Sequence, residues 1–273
     1  EFFETLALIP LIPNDIKKIV IHHEIRSKRN SLISSENTFY RNYIEKITFA
    51  IENSLLSMAD NVVVFNKEDK DYLRDVSLNI KVSPFGIPKN LIVKNEVSSY
   101  FNKLIFIGSE FHFPNKEGLE WFLDSIYVPN IERLEWPLYI TGFWNEAFKK
   151  KYRNYKKIIF TGFMKNLLDI YNNGILIAPI ISGSGVRTKI LEAFSNKTPV
   201  ISTSFASEGL YDKGIEQKHI IHFESSIDFL EGFENIKKDP NLITDLANNG
   251  FDYFSIYFEE NNLFDKRLSV YNN

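Results

Sequence analysis

Residues 174–202 constrain the fold more than any other segment, because their hydrophobic period changes twice. A six-residue apolar run follows Gly174 and ends at a serine and glycine cluster, residues 182–185, as a buried parallel strand does. Apolar residues then recur at helical spacing over residues 186–194, and a second strand begins at Val200. The segment therefore predicts a strand–loop–helix–strand unit with a right-handed crossover.

The loop before this helix has the chemistry of an anion site. Free N–H groups and the helix dipole favour a negative charge there, and glycines let a phosphate approach the backbone closely. Arg187 and Lys189 stand in the first turn, where the dipole disfavours a cation by a few tenths to about 1 kcal/mol. A bound anion would remove that penalty. The alternative is a tight turn with solvated basic residues.

Glu192 lies one helical turn beyond Lys189, so the two side chains can share a face. They either form a surface pair worth about 0.2–0.5 kcal/mol, or the carboxylate accepts from ribose hydroxyls while the helix N-terminus holds the attached phosphates. At the other end of the helix, Asn196 is expected to form a left-handed C-terminal cap, with Pro199 following.

The loop sequence G-x-G-x-x-T at residues 183–188 is close to a dinucleotide fingerprint but lacks its third glycine. It also follows the fourth predicted strand of its domain rather than the first, and no acidic residue ends the next strand. These departures disfavour NAD binding. A Walker A sequence is absent as well.

Composition narrows the class of protein. The 273 residues are 44% hydrophobic and 25% charged with a net charge of −3, which is ordinary for a globular protein and gives no basic field for nucleic acid. Cysteine is absent and the five histidines form no i, i+4 pair, so we expect no metal site and no cofactor. No apolar run reaches the ~18–20 residues that span a bilayer.

The alternation of strands and helices predicts two α/β domains with parallel sheets. We expect a partial N-terminal domain at residues 1–95 and a complete C-terminal domain at 96–273. The expected strands are 17–22, 62–65 and 80–82 in the first domain, and 104–107, 138–141, 158–160, 175–180, 200–203 and 220–223 in the second. Helices are expected near 36–59, 117–126, 146–152 and 165–171, with two or three more over 226–271. In the first of these, apolar residues that include Tyr40, Ile47 and Ile51 recur at helical spacing, and Asn66 is expected to cap the helix after the second strand.

Three segments resemble a known family. GSGVRTKILEAFSNKTPVISTSFASEGL, residues 183–210, resembles the nucleotide-sugar-binding segment of retaining GT-B glycosyltransferases of the large group-1 class. LIFIGSEFHFPNKEGLEWFLDSI (104–126) and IIFTGFMKNLLDIYNNGILIAPI (158–180) are similar to earlier parts of their C-terminal domain. The resemblance implies a GT-B-like fold of two Rossmann-like domains, the N-terminal one truncated. It also implies that the last helix, about 255–273, packs back on the N-terminal domain and that a hinge closes over substrate.

The resemblance also implies roles for particular residues. Donors to the diphosphate would be Gly183, Ser184, Gly185 and Thr188, with countercharge from Arg187 and Lys189. Glu192 would hold the ribose. Gly162 and Phe163 would flank the base, and Gly108 and Ser109 would border the diphosphate from the opposite loop. His23, beside His22, would face the transferred sugar or the acceptor.

Two positions depart from the family pattern. Ser184 stands where the first of two glutamates is usual, and Ser109 stands where the loop usually carries an arginine and a lysine. A carboxylate near the transferred sugar is therefore missing, which leaves the donor sugar open. Arg187 and Lys189 are expected to replace the missing cations.

The leading hypothesis is a metal-independent, hexosyltransferase-type enzyme that uses a UDP or GDP sugar and a glycan or lipid-linked acceptor in polysaccharide biosynthesis. We expect it in the cytoplasm, at the inner face of the membrane with peripheral contact. A sugar-nucleotide epimerase on the same scaffold is one alternative. A non-catalytic nucleotide-binding module is another, since the chain begins at Glu1 and reads as a fragment that is inactive alone.

Overall fold

A computed structural model describes residues 5–31, 38–73, 79–87, 92, 97, 100–183, 186–210 and 218–272. The chain divides into two compact units. Unit 1 consists of Glu1–Gly86, Ser182–Val186 and Glu260–Asn273, and unit 2 consists of Ile87–Ile181 and Arg187–Glu259. The division after Gly86 lies nine residues before the boundary expected near residue 95.

Unit 1 contains a parallel sheet of three strands in the order β1-β2-β3. The strands are β1 (Ile19–Ile21), β2 (Asn61–Val64) and β3 (Ile80–Val82), and the helices are α1 (Arg26–Ser31), α2 (Thr38–Leu56), α3 (Lys67–Tyr72) and, at the end of the chain, α11 (Glu260–Asn272). All four residues of β2 are buried, and its three valines form the apolar run that the centre of a parallel sheet requires. Asn66 caps α3, because its Oδ1 accepts from the Asp69 N–H at 2.6 Å.

The last helix, α11, packs on the other segments of unit 1. The Arg267 guanidinium donates to the Pro84 carbonyl at 3.0 Å and to the Ser83 hydroxyl at 3.3 Å. The Asn61 amide donates to the Val270 carbonyl at 3.3 Å. These contacts hold α11 against the ends of β2 and β3 although about two hundred residues separate them in sequence.

Helix α2 forms where the spacing of apolar residues predicts it, but a different face is buried. The predicted apolar stripe is largely exposed, with Tyr40 57%, Ile47 39% and Ile51 46% accessible. The buried side chains are Glu52 and Leu56. The spacing of apolar residues therefore identified the helix, while the hydrogen bonds of Glu52 decide which side faces inward.

The described residues of unit 2 form six parallel strands in the order β6-β5-β4-β7-β8-β9, which confirms the predicted number. They are β4 (Lys103–Ile107), β5 (Leu138–Thr141), β6 (Ile158–Gly162), β7 (Gly174–Ala178), β8 (Val200–Ser202) and β9 (Ile221–His222). The helices are α4 (Phe113–Phe122), α5 (Ile131–Leu134), α6 (Glu146–Tyr152), α7 (Leu168–Tyr171), α8 (Thr188–Ser195), α9 (Ser226–Lys238) and α10 (Pro240–Tyr257).

The core of unit 2 lies on the central strands. Leu104 of β4 is paired with Leu138 of β5 on one side and Ile175 of β7 on the other, and all three are fully buried. Helix α4 approaches the end of β7 so closely that a Cβ at Gly118 would lie 2.2 Å from the Pro179 carbonyl oxygen. Only glycine allows this distance, so the sequence of α4 fixes its position beside the strand.

The end of α8 differs from the expectation. Asn196 has a φ of −101°, so it does not adopt the left-handed conformation, and Lys197 does so instead with a φ of 50°. The Asn196 side chain donates to the Glu192 carbonyl at 2.7 Å. This bond satisfies one of the last free carbonyls of the helix directly, so the left-handed residue comes one position later.

Within the described part of the chain, no helix is long and apolar enough to cross a bilayer.

Candidate functional site

The strand order of unit 2 reverses between β4 and β7, which are neighbours although three strand positions separate them along the chain. In open parallel sheets, ligands bind outside the carboxyl ends of the strands at such a reversal. The loop after β4 begins at Gly108, and the segment after β7 leads into α8. The sequence predicts diphosphate contacts from both of these segments. The topology brings their unit 2 residues together at the carboxyl ends of β4 and β7.

Lys189 lies at this edge with its ammonium between α4 and β4. Its Nζ donates to Asn115 Oδ1 at 2.7 Å and lies 4.7 Å from the centre of the Phe106 ring. Burial, reinforced by the nearby charge of Arg187, lowers the pKa of Lys189 to about 7, while Glu192 acts in the opposite direction. The lysine is thus held by an amide and a ring, neither of which neutralises it.

Glu192 turns to another partner. Its Oε2 accepts from the Tyr171 hydroxyl at 3.5 Å, and Tyr171 is 5% exposed. Burial raises the pKa of Glu192, against the opposing effects of Tyr171 and Lys189. The direct surface pair with Lys189, which was one of the two sequence alternatives, is not formed. A partly buried carboxyl with a single long hydrogen bond retains capacity to accept from hydroxyl groups.

Arg187 and Thr188 begin α8. Arg187 occupies the N-cap position and is 8% exposed, and its guanidinium carbon lies 5.4 Å from the centre of the Phe205 ring. An arginine stacked on an aromatic ring has a fixed plane of donors, which suits phosphate oxygens. Its nearness to Lys189 concentrates positive charge at the beginning of the helix.

The loop after β4 is held in shape by its neighbours. Ser109 donates its hydroxyl to the Phe143 carbonyl at 3.1 Å, and its own carbonyl accepts from the Asn115 amide at 3.2 Å. Gly108 accepts from the Trp144 indole N–H at 3.0 Å. The backbone around Gly108 and Ser109 is therefore fixed without any charged group.

Gly162 is the last residue of β6, and Phe163 follows it. Gly162 has a φ of 74°, and a Cβ added there would meet nothing within 4 Å, so the backbone conformation rather than space favours glycine. Phe163 is 78% exposed. A second pair of exposed phenylalanines, Phe111 and Phe143, stacks with ring centres 5.3 Å apart in the loops after β4 and β5. The role of Gly162 and Phe163 at a base stays a prediction.

Some predicted residues are grouped with unit 1. Gly183 is buried and has a φ of 101°, a backbone conformation that suits glycine. Ser184 and Gly185 lie outside the described residues, so their assignment to a diphosphate stays a prediction.

The two adjacent histidines after β1 differ in their surroundings. His22 is 2% exposed, and its Nε2 lies 2.9 Å from Oε1 of the buried Glu52. His23 is partly exposed and packs edge-on against Phe65, with ring centres 4.7 Å apart. Burial lowers the pKa of His23, followed by the charges of His22 and Arg267, so its imidazole is biased toward the neutral form.

Glu52 organises this corner of unit 1. Its carboxylate accepts from His22, from the Arg26 N–H at 2.9 Å, and from the N–H and hydroxyl of Ser27 at 3.2 and 2.7 Å. Burial acts to raise the pKa of Glu52, but the hydrogen bonds from these partners outweigh it and lower the pKa. The carboxylate thus fixes His22 and the beginning of α1.

The sequence predicts no role for three residues that contact Lys189 or Glu192: Phe106, Asn115 and Tyr171. A phenylalanine in a buried strand and a tyrosine in a short helix have no distinctive spacing. Asn115 lies within the family-like segment at residues 104–126, but its contact with α8 joins residues 74 positions apart. Among the described residues, no group of three or more His, Cys, Asp or Glu is placed to hold a metal ion.

The family model for "Glycosyl transferases group 1" matches residues 102–238, which is half of the chain. A curated relative from Klebsiella pneumoniae, described as an uncharacterized 44.6 kDa protein in cps region, is 26% identical over 263 residues. That alignment covers 91% of this chain and 66% of the relative, so the chain spans slightly less than two thirds of the relative's length.

Two solved structures show the same fold. Sucrose-phosphate synthase from Thermosynechococcus elongatus matches with a TM-score of 0.72 at 17% identity, covering 93% of this chain and 67% of the other. The pneumococcal O-GlcNAc transferase GtfA, in complex with UDP and GlcNAc, matches with a TM-score of 0.65 at 14% identity, covering 98% and 54%. The parallel sheets and α/β architecture are those of GT-B glycosyltransferases. By its family match, the chain belongs to the glycosyl transferases of group 1.

Proposed function

We propose that this protein transfers a hexose from a nucleotide-diphosphate sugar to a glycan or lipid-linked acceptor, with retention of configuration and without a metal ion. One observation carries the proposal. The Lys189 ammonium is held at the strand-order reversal by the neutral Asn115, with Arg187 beside it and Glu192 one turn along the same helix. One helix thus offers cations for phosphates and a carboxyl for a ribose.

The diphosphate is assigned to the beginning of α8. Free N–H groups there favour an anion, and the charges of Arg187 and Lys189 add to the helix dipole. Glu192 lies one turn further, and its carboxylate accepts from ribose hydroxyls. The nucleoside base is assigned to Gly162 and Phe163, and Gly108 and Ser109 border the diphosphate from the loop after β4.

The transfer itself exchanges one bond at the anomeric carbon. The bond to the β-phosphate oxygen breaks, and the acceptor hydroxyl oxygen forms a new bond on the same face of the sugar. The acceptor proton passes to an oxygen of the departing diphosphate. Arg187, Lys189 and the helix N-terminus stabilise the charge that develops on that diphosphate, which is the usual source of electrostatic rate enhancement.

The comparisons support this proposal at a general level. The structure of GtfA contains UDP and GlcNAc, and sucrose-phosphate synthase is named for the synthesis of sucrose phosphate. The Klebsiella pneumoniae relative is described by its cps region. We therefore favour UDP over GDP as the nucleotide, and a polysaccharide or its lipid-linked precursor as the acceptor, made at the cytoplasmic face of the membrane.

Calorimetry with UDP, GDP and ADP tests the donor site. We expect UDP to bind most tightly and the Lys189→Ala and Glu192→Ala variants to lose at least tenfold in affinity. Lys103→Ala is a matched control, because Lys103 also lies over an aromatic ring, 5.5 Å from the centre of Tyr139, and burial also lowers its pKa. Lys103 begins β4, at the opposite edge of the sheet, so its removal should leave UDP affinity unchanged.

Undiminished affinity in both site variants would contradict the site assignment.

Incubation with UDP-glucose then distinguishes the reaction classes. A glycosyltransferase releases UDP when an acceptor is present, an epimerase returns a UDP sugar of altered configuration, and a non-catalytic module returns UDP-glucose unchanged. His23→Ala should reduce UDP release while leaving UDP affinity unaltered.

A further inference from the structure

Asn115 connects two parts of unit 2 that the proposed diphosphate site requires. It lies in the first turn of α4 and is 9% exposed. Its Oδ1 accepts from Lys189 Nζ at 2.7 Å, and its Nδ2 donates to the Ser109 carbonyl at 3.2 Å. One amide therefore joins α8 to the loop after β4.

The space around this amide is closely fitted. A Cβ added at Gly108 would lie 2.7 Å from Asn115 Nδ2 and 2.8 Å from its Cγ. Contacts below 3.0 Å of this kind force the side chain to move. The glycine of the loop therefore leaves room for the asparagine, and the Asn115 side chain has little freedom to turn away from Lys189.

We propose that Asn115 is a positioning residue that holds the Lys189 ammonium with a neutral acceptor, so that its positive charge stays available to an anionic donor. This inference rests on the proposed function. An asparagine fixes the direction of the ammonium as a carboxylate would, but it does not neutralise the charge. An aspartate at this position would form an ion pair with Lys189 and repel a diphosphate.

Within the described parts of the chain, two charged groups act on Lys189. On its own helix, Arg187 disfavours the ammonium and Glu192 favours it. From β4 it faces Phe106, and from α4 it faces Asn115, both uncharged. Tyr171 of α7 contacts Glu192 rather than Lys189. A new carboxylate at residue 115 would therefore be the nearest opposite charge to Lys189.

The test combines UDP calorimetry with an NMR titration of the lysine ¹³Cε signals, in which Lys189→Arg identifies the signal of Lys189. We expect Asn115→Asp to weaken UDP binding at least tenfold and to raise the pKa of Lys189 by at least one unit. Asn115→Ala should weaken binding about threefold to tenfold without raising that pKa. The smaller loss is expected because alanine adds no carboxylate to repel the diphosphate, while the lysine loses the acceptor that orients it.

Asn130→Asp controls for the cost of placing a carboxylate at a partly buried amide. Asn130 Nδ2 donates to the Ile126 carbonyl at 2.7 Å and to the Ser226 hydroxyl at 3.0 Å, away from α8. It should change neither UDP affinity nor the Lys189 titration. If the wild type binds UDP and Asn115→Asp changes neither quantity, the role of Asn115 is wrong while the proposed function stands. If the wild type binds no nucleotide, both are overturned.

Discussion

The Lys189 ammonium nitrogen lies 4.7 Å from the centre of the Phe106 ring. Phe106 belongs to the carboxyl-terminal half of β4. A cation over a ring at this distance is stabilised by about 0.5–2 kcal/mol, more when water is excluded. The attraction exists only while the lysine is protonated, and burial lowers the Lys189 pKa to about 7. The contact should therefore weaken as the pH rises through neutrality.

Phe106→Leu tests this contact. We expect the variant to lose more free energy of unfolding at pH 6 than at pH 9, by about 1 kcal/mol, because only the charged lysine interacts with the ring. Urea unfolding at the two pH values measures the difference. Phe122→Leu is the control, since Phe122 is also fully buried and packs on aromatic rings, but no cation lies over its ring among the described residues. Equal losses for Phe106→Leu at both pH values would exclude a cation–π contribution.

Lys189→Met should stabilise the free protein near neutral pH, by about 1–3 kcal/mol. The Lys189 pKa is lowered from 10.5 to about 7, so between these values the unfolded chain binds a proton that the folded chain does not. The wild type's free energy of unfolding therefore rises with pH across that window. The gain of the methionine variant is largest at and below pH 7 and disappears toward pH 10.5.

A set of urea denaturation curves between about pH 6 and 10 measures this gain. Lys197→Met is a suitable comparison, because Lys197 also lies over a ring, 5.1 Å from the centre of Phe251. Its substitution should not stabilise the protein, because Lys197 is only partly buried. A Lys189→Met variant that is less stable than the wild type at pH 7 would contradict the prediction.

Glu52→Gln should destabilise unit 1 by about 2–4 kcal/mol, because a buried carboxylate with several donors loses its charge and one donor must face an amide N–H₂. The pKa of Glu52 is lowered from 4.5, so its stabilisation is present above that pH and is lost as the pH falls below it. The cost of the substitution should therefore shrink under acid conditions. Thermal unfolding at pH 7 and pH 3.5 checks both statements, with Glu45→Gln on the same helix expected to cost under about 0.5 kcal/mol.

Gly142→Ala and Gly162→Ala separate two reasons for a glycine with positive φ. At Gly142 a Cβ would lie 2.2 Å from the Gly108 carbonyl oxygen, whereas at Gly162 it would meet nothing within 4 Å. Alanine at residue 162 should cost only the conformational penalty, about 1–2 kcal/mol. Alanine at residue 142 should lower the free energy of unfolding clearly more, since the loop after β4 must also move. Equal losses in urea unfolding would show that the loop yields without strain.

Local patterns predicted most elements of unit 2. Each central strand is a short apolar run between turn residues, so its position could be read directly, and β5 and α6 begin and end at the predicted residues. The capping role of Asn66 followed from its place before α3. Helix α4 begins at Phe113, four residues earlier than expected, because Pro114 fits the first turn of a helix.

Other features could not be read from spacing. The stripe of Tyr40, Ile47 and Ile51 predicted the buried face of α2 wrongly, because Glu52 faces inward to accept from His22, which follows β1, and from the first residues of α1. The spacing of apolar residues shows which side chains share a face of a helix, but not which partner that helix packs against. The cap at Asn196 was wrong for a similar reason, since the outcome depended on which atom its side chain reached.

The sequence by itself determined the parallel α/β class, the six strands of unit 2, and the helix that carries Arg187, Lys189 and Glu192, because period and turn residues are local properties of the chain. The tertiary structure alone decided that Lys189 meets Asn115 and Phe106 while Glu192 meets Tyr171. These partners come from β4, α4 and α7, which lie beside α8 because the strand order reverses between β4 and β7. Burial and charge at the site depend on that packing, and so do the altered pKa values of Lys189 and Glu192.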